Sequence, residues 1–212
     1  MTTLDIALGY HARGLAVIPI VHRSKKAIVQ WKAYQHQSHN ENMVRQWFEG
    51  TDNNLALVMG DVSGGLVCRD FDQVDAYDRW AMKYPLYAKT LPTVETGRPG
   101  RHVYCRADAQ VIRGASKSGS SIIKLDDGEL RGSECYCLAP PSTHPSGANY
   151  RWIVDLGDEV PEVDLYQVGF LPCNTGCAGH GSTVVSTVLQ VICVHCVTGN
   201  SANTAEWCWP AA

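Results

Sequence analysis

The spacing of apolar residues along the first 84 positions predicts helices separated by short buried strands. Apolar residues at helical spacing predict three helices, which cover residues 3–13, the segment between Asn40 and Gly50, and residues 73–84. Short apolar runs predict two strands among them, at residues 15–20 and 55–59. We expect Thr3 to cap the first helix, since its side-chain oxygen can accept from a free backbone N–H group.

Beyond residue 84 the pattern changes to short strands joined by turns. The predicted strands of this part are residues 93–96, 102–105, 122–125, 135–139 and 150–154. The segment 113–121, rich in glycine and serine, predicts a mobile loop. Because helices dominate first and hairpins later, the order favours an α+β fold over alternating βα units.

One short strand ends in two acids. A turn at residues 63–65 leads into the apolar run 66–68, which predicts a half-buried strand, and Asp70 and Asp72 follow it. Side chains two apart on a strand share a face, so the two carboxylates repel each other unless a cation lies between them. Mg²⁺ and Mn²⁺ prefer such oxygen ligands. A pair of solvated surface acids is the alternative interpretation.

Basic residues near this strand are concentrated in two turns. Residues 22–26 form a basic loop that is either a solvated surface or a phosphate clamp. In the turn at 97–101, Arg98 and Arg101 are placed to converge on an anion, and His102 begins the next strand. A lone histidine at a strand start is ordinarily structural, but two neighbouring arginines favour a functional role.

Two later loops add polar candidates. Residues 126–132 contain further acids, and among them Glu129 supplies a third acidic position. The loop at 140–147 begins with two prolines, which fix the backbone and present Ser142 and His144 rigidly.

Composition limits the class of protein. The 212 residues are 45% hydrophobic and 18% charged, which is typical of a soluble globular chain with one sizeable domain and an appendage, or two small domains. Apolar stretches fall well short of the roughly 18 residues that span a membrane. We therefore expect a cytoplasmic protein without a membrane partner. Net charge is −3, but residues 1–154 hold all 18 Lys and Arg against 15 acids, which is compatible with nucleic acid.

The nine cysteines fall into two groups. Those in apolar strand-like runs are interpreted as small hydrophobic residues, namely Cys68, Cys105, Cys135 and Cys137. The others lie in residues 165–212, which hold a single charged side chain, Glu206. There, a spacing that approximates a zinc ribbon is formed by Cys173, Cys177, Cys193 and Cys196, with His180 and His195 as spare ligands. The first knuckle is one residue too long, and Lys and Arg are missing from this segment.

Taken in order, the motifs of residues 5–154 resemble the bifunctional primase/polymerase domain of the archaeo-eukaryotic primase superfamily, found in replication proteins of phages and plasmids. The matching positions are Ala7, Gly14, Val17, Pro19, Lys26, Trp31, Trp47, 60–72, 92–97, 102–104, 128–132, 139–144, Gly147 and Tyr150. The resemblance implies an RRM-like antiparallel or mixed sheet flanked by helices. It also implies a template-directed nucleotidyltransferase, a DNA primase or polymerase that uses a single-stranded DNA template and NTP or dNTP.

The resemblance also implies roles for individual residues. Asp70, Asp72 and Glu129 would bind Mg²⁺ or Mn²⁺ and, with His102, form the catalytic set. Supporting nucleotide contacts besides His102 would come from Lys26, Arg131, Ser142 and His144. Asp126 or Asp127 is the alternative third acid. The family often has a doubled glycine before the histidine, where this chain has the residues 99–101.

This interpretation divides the chain into a catalytic domain at 1–165 and a cysteine-rich tail at 166–212, which either binds structural Zn²⁺ or is poorly ordered. Two rival functions remain: a non-catalytic nucleotide- or nucleic-acid-binding module, and an enzyme that binds a nucleotide-sugar through a metal. The sequence lacks a P-loop motif, so a helicase partner would lie in another chain or a fusion. A prokaryotic or phage origin is expected.

Overall fold

The computed structural model describes residues 1–37, 39–116 and 118–172, and the predicted zinc ligands from Cys173 onward lie outside this part. Its helices are α1 (Thr3–Ala12), α2 (Glu41–Phe48), α3 (Val74–Lys83), α4 (Pro85–Thr90) and α5 (Ala109–Ala115). Its strands are β1 (Val17–Ile20), β2 (Asn54–Val58), β3 (Leu66–Phe71), β4 (Thr93–Glu95), β5 (Arg101–Arg106), β6 (Ile122–Leu125), β7 (Gly128–Arg131), β8 (Tyr136–Leu138) and β9 (Arg151–Val154). Two short 3₁₀ turns cover Trp31–Gln35 and Asp61–Ser63.

These strands form two antiparallel sheets. The small sheet has the order β1-β2-β8, and the large sheet has the order β6-β7-β3-β5-β4-β9. Neighbouring strands in both sheets, from β1 to β9, are all antiparallel. The predicted α+β class, with sheets flanked by helices, is confirmed. None of the helices in the described segments is both long and apolar enough to cross a lipid bilayer.

Local capping explains where the first two helices begin. Thr2, rather than the predicted Thr3, caps α1: its hydroxyl accepts from the backbone N–H of Asp5 at 3.2 Å, and the Asp5 carboxylate accepts from the Thr2 N–H at 2.7 Å. This reciprocal pair satisfies two otherwise free donors. Asn40 caps α2 as predicted, with its side chain accepting from the N–H of Met43 at 3.0 Å.

Two short helices depart from the predicted pattern. Pro85 occupies the first turn of α4, where a missing N–H group costs nothing. Asp108 caps α5 by accepting from the N–H of Gln110 at 2.8 Å, and the helix continues to Ala115. The start of the predicted mobile loop at 113–121 is therefore helical.

The large sheet is buried on both faces. On β3, Leu66 and Cys68 belong to a first core cluster, shared with α1, α2 and the small sheet. Val67 and Phe71 point to the opposite face and join a second cluster with α3 and residues 165–171. Every apolar residue of β3 is thus buried, and the strand is not half-buried as predicted. This double burial fixes which β3 side chains face the small sheet.

The packed part of the chain extends beyond the predicted boundary at residue 165. Buried apolar side chains of this last described segment are Leu165, Val168, Phe170 and Leu171. The indole N–H of Trp80 donates to the carbonyl oxygen of Val168 at 2.8 Å. The segment therefore covers the second face of the large sheet.

Candidate active site

Strand register brings three of the predicted residues onto one row of the large sheet. Asp70 on β3 lies directly opposite His102 on β5 and, on its other side, directly opposite Glu129 on β7. Residues opposite each other on neighbouring strands share a face, with Cβ atoms about 5 Å apart. Positions 32 and 59 residues from Asp70 in sequence therefore meet it, because β3 is central, with β5 and β7 as its neighbours.

An arginine joins the two carboxylates of this row. The Arg131 guanidinium lies 3.0 Å from Asp70 Oδ2 and 2.9 Å from Glu129 Oε2. Burial lowers the pKa of Arg131, but the opposing electrostatic effect of Cys137, Asp70 and other neighbours is larger and raises this pKa above its usual value. The guanidinium therefore stays charged. It lies between Asp70 and Glu129, where the two carboxylates attract a cation.

His102 is held on the other side of Asp70. Its Nε2 lies 3.4 Å from Asp70 Oδ1, and its Nδ1 lies 3.2 Å from the hydroxyl of Tyr104. Burial lowers the pKa of His102 and outweighs the opposing charge of Asp70. The cations Arg131 and Lys25 lower it further, so the neutral imidazole is favoured near pH 7.

Asp72 lies just past the end of β3 and faces the same open space as Asp70. Its backbone N–H donates to the carbonyl oxygen of Asp127 at 3.1 Å, which fixes the turn. The Asp127 side chain forms an ion pair with Arg69, whose guanidinium stacks over Phe71 at 4.0 Å. Asp127 therefore serves the opposite face of the sheet, and Glu129 is the acid beside Asp70.

The row opens into a cleft between the two sheets. Two adjoining cavities of about 290 and 450 Å³ share the same inner wall, formed by Lys25, Asp70, His102, Arg131 and Tyr150. We call these cavities together the cleft. Asp72 and His144 line its larger part, and Trp31 and Tyr136 line the smaller. Among the described residues, Glu129 does not line the cleft. It is linked to the cleft by its ion pair with Arg131.

The basic loops contribute one residue each to the cleft. Lys25 lines both cavities, with its backbone carbonyl accepting from the hydroxyl of Tyr136 at 2.8 Å, whereas the predicted Lys26 lines neither. Arg98 lines the larger cavity. Arg101 precedes His102 on β5, so its side chain points to the opposite face of the sheet, where its guanidinium lies 3.2 Å from the Glu95 carboxylate. The predicted convergence of two arginines on an anion is therefore wrong for Arg101.

His144 reaches the cleft from the loop after β8. Its Nδ1 accepts from the backbone N–H of Ser146 at 3.1 Å, which leaves Nε2 as the nitrogen that carries the proton. Desolvation lowers the pKa of His144, and the charges of Lys25 and Arg98 lower it further. A Cβ atom on Gly97 would lie closer than 3.0 Å to the His144 side chain, so only glycine admits this placement.

Ser142 has a packing role, which corrects the prediction that it contacts a nucleotide. It is 2% exposed, and its hydroxyl donates to the carbonyl oxygen of Leu55 at 2.7 Å and accepts from the Leu55 N–H at 2.9 Å. Both bonds tie the loop to β2, and they use the hydroxyl's donor and one of its acceptor positions. The loop thereby holds His144 in place.

We expect Ser142→Ala to lower the free energy of unfolding by about 1–3 kcal/mol, because it leaves the buried N–H group of Leu55 without its partner. The Leu55 carbonyl oxygen keeps the N–H group of Ala139, at 3.3 Å. The affinity for nucleotide should change by less than about 3-fold. Urea denaturation and a nucleotide titration measure the two effects. A large loss of affinity with unchanged stability would show that Ser142 contacts ligand.

The donor set fits a hard divalent cation. Asp70, Asp72 and Glu129 supply carboxylate oxygens, the ligands that Mg²⁺ and Mn²⁺ prefer. Two of them already attract the guanidinium of Arg131. Because carboxylates this close repel each other, they favour a bound cation.

Sequence reasoning missed two parts of the cleft wall. Lys25 and Lys26 are adjacent lysines, and only the tertiary bond from Tyr136 to the Lys25 carbonyl distinguishes them. Tyr136 forms an edge-to-face pair with Trp31, at 4.8 Å between ring centroids. The signal for this wall was weak, since Trp31 belongs to an irregular segment without periodicity.

Comparison with known protein families matches residues 7–164 to the family described as bifunctional DNA primase/polymerase, N-terminal. No curated protein matches the chain. The match spans the small sheet and all the strands of the large one, and it includes every residue of the cleft named above. It confirms the resemblance inferred from the ordered motifs, and the observed helices and antiparallel sheets agree with a primase-type catalytic core. The chain therefore belongs to the bifunctional DNA primase/polymerase N-terminal domain family.

Proposed function

We propose that this chain is a template-directed nucleotidyltransferase that joins NTP or dNTP to a 3′-hydroxyl in replication of the phage or plasmid type. The observation that carries the proposal is the row Glu129–Asp70–His102 across three adjacent strands, of which Asp70 and His102 line the cleft beside Asp72. Converging carboxylates and a neutral imidazole are unnecessary for binding alone. They match what a phosphoryl-transfer site requires.

The carboxylates of Asp70, Asp72 and Glu129 would hold Mg²⁺ or Mn²⁺, in two sites of the two-metal kind. Such ions, when bound, activate the attacking hydroxyl and neutralise charge on the transferred phosphoryl group. Arg131 lies among these acids, so it compensates their charge in the absence of metal and would turn toward phosphate oxygens when metal is bound.

Cationic and neutral donors around the cleft suit a triphosphate. Lys25 and Arg98 approach from two separate loops, so they can neutralise oxygens on both sides of a phosphate chain. The neutral imidazoles of His102 and His144 add hydrogen-bond donors without further repelling the nearby cations. Together these cations and neutral donors let the cleft hold several negative charges although Asp70 and Asp72 line it.

The smaller cavity suits a nucleobase. Trp31, Tyr136 and Tyr150 present aromatic surface beside Asp70 and His102. Base stacking on aromatic side chains tolerates every base, as a template-directed enzyme requires. A single-stranded DNA template would lie along the same wall. A helicase partner and a prokaryotic or phage origin stay predictions.

The adjacent lysines provide a paired test of the cleft. We expect Lys25→Ala to raise the KM for nucleotide by about 10-fold, the value of one charge-assisted hydrogen bond to a phosphate oxygen. Lys26→Ala should change KM by less than about 2-fold. Steady-state kinetics of both variants measures this difference. Equal effects, or a larger effect for Lys26→Ala, would contradict the placement of Lys25 in the cleft.

One observation favours the non-catalytic alternative. Arg131 already pairs with both Asp70 and Glu129, so these acids are compensated without any metal. A module that only binds nucleotide or nucleic acid could keep this arrangement permanently. The two functions differ in whether product forms.

Primer extension separates these functions. The full chain is incubated with a primed single-stranded DNA template, each NTP or dNTP singly, and Mg²⁺ or Mn²⁺. The proposal predicts incorporation that follows the template base and requires the divalent ion. Nucleotide binding without extension, in either metal, would establish the binding module instead. Hydrolysis of a nucleotide-sugar under the same conditions would favour the third function.

A further inference from the structure

A second cluster of metal-ligating side chains lies behind the carboxylates. Cys68, His102 and Cys137 each offer one ligand atom, and all three atoms lie within 4.8 Å of one another. The three residues are 0%, 8% and 2% exposed. Two thiols and an imidazole form a donor set different in kind from the oxygen ligands of Asp70, Asp72 and Glu129.

The fold brings these residues together from both sheets. Cys68 lies two positions before Asp70 on β3 and therefore shares its face. His102 lies on the neighbouring strand β5, and Cys137 lies on β8 of the small sheet. The sulfur atoms of Cys68 and Cys137 lie within 4.8 Å of each other. The cluster thus lies where the two sheets meet, at the inner end of the cleft.

We propose that Cys68, His102 and Cys137 form a binding site for a thiophilic divalent cation, Zn²⁺ in particular. Thiolate and imidazole are the ligands that structural and catalytic zinc sites use, whereas Mg²⁺ and Mn²⁺ prefer oxygen. The site shares His102 with the catalytic set and uses none of the carboxylates of Asp70, Asp72 and Glu129.

The charge balance suits a buried site. Two thiolates and one neutral imidazole carry a charge of −2, so a divalent cation makes the cluster neutral, which removes the main cost of burial. Tetrahedral zinc places its ligand atoms roughly 3.5 Å apart, so side-chain adjustments on the order of 1 Å close the cluster. The proton of each thiol leaves on binding.

The smaller cavity of the cleft supplies access and a fourth ligand. His102 and Cys137 both line this cavity of about 290 Å³, so an ion can reach them from solvent. Water in the cavity can complete a tetrahedral site that has three protein ligands. Cys68 lies behind them and closes the inner side.

Zinc at this site inhibits nucleotidyl transfer, because it takes a ring nitrogen of His102 away from Asp70 or from the nucleotide. This consequence rests on the proposed function. The binding of zinc itself does not, because it depends only on the three ligands.

Cobalt titration of the full chain, with its thiols kept reduced, tests the binding. Co²⁺ is a spectroscopic substitute for Zn²⁺, and cysteine ligation gives sulfur-to-cobalt absorption in the near ultraviolet. We expect Cys68→Ala and Cys137→Ala each to remove the same component of this absorption. Cys105→Ala is the matched control, since Cys105 is equally buried but belongs to the second cluster. Any contribution from the cysteines after residue 172 is common to all these proteins.

Identical spectra in the wild type, Cys68→Ala and Cys137→Ala proteins would overturn the proposal. Thermal unfolding without metal establishes that each variant is folded. If Cys68→Ala does not fold, the comparison of Cys137→Ala with the wild type is sufficient for the test. Added Zn²⁺ should also raise the unfolding temperature of the wild type and Cys105→Ala more than that of Cys137→Ala. In primer extension, Zn²⁺ should inhibit the wild type at least about 10-fold more strongly than Cys137→Ala. If the wild type shows the sulfur-to-cobalt absorption but does not extend a primer, the zinc site is supported and the proposed function is wrong.

Discussion

Replacing Asp70 and Asp72 together with asparagine is expected to lower templated nucleotide incorporation by at least about 1,000-fold, because the carboxylates that we propose to bind the divalent ion are lost. Asparagine keeps the size of each side chain, removes its charge and replaces one acceptor oxygen with an NH2 donor. Arg131 retains Glu129 as a partner, so the free energy of unfolding should fall by no more than about 1–2 kcal/mol. Single-nucleotide primer extension and urea denaturation measure the two quantities.

Asp126→Asn is the matched control for this substitution. Asp126 lies in the exposed turn before β7 and does not line the cleft. The variant loses one negative charge from the same part of the chain, and we expect its incorporation rate to stay within about 2-fold of the wild type. Full incorporation by the Asp70/Asp72 double variant would refute the assignment of these residues to the catalytic set.

Gly128→Ala is expected to lower the free energy of unfolding by about 3 kcal/mol and to abolish most incorporation. Gly128 has a φ of +141°, and a Cβ atom there would lie closer than 3.0 Å to the carbonyl oxygen of Asp70. The strain moves β7 away from β3, which displaces Glu129 from its place opposite Asp70. Chemical denaturation and primer extension measure the two losses.

Gly114→Ala provides the control for Gly128→Ala. Gly114 lies in helix α5, and nothing lies within 4 Å of the position that its Cβ atom would occupy. We expect this variant to be neutral or stabilised by up to about 1 kcal/mol, since alanine favours helix. If both alanine variants unfold at the same denaturant concentration, the close approach of β7 to β3 does not limit the residue at position 128.

Hydrophobic spacing predicted the elements that bury one continuous face. The three long helices and the strands of both sheets other than β7 follow from it, with ends within a few residues of those observed. It missed α5 because a single cap at Asp108 outweighs the glycine and serine residues that follow. It also missed β7 as a strand, since residues 128–131 acquire their structure by pairing with β3 and β6.

The candidate site was predicted best where residues lie on one strand. Asp70 and Asp72 are two apart on and just after β3, so the sequence alone places them on one side. The meeting of Asp70 with Glu129 depends on the neighbour that β3 selects in the sheet, which local pattern does not contain. Ser142 was misassigned for the same reason, because its partner Leu55 is 87 positions away in the chain.

Mn²⁺ binding measures whether acids from β3 and β7 form one cation site. Free Mn²⁺ gives a strong electron paramagnetic resonance signal that weakens when the ion binds protein, so the signal counts bound ions without requiring activity. We expect Asp70→Asn and Glu129→Gln each to weaken Mn²⁺ binding by at least about 10-fold, and Asp126→Asn to leave it unchanged. Equal Mn²⁺ affinity in all three variants and the wild type would show that Asp70 and Glu129 do not form a cation site.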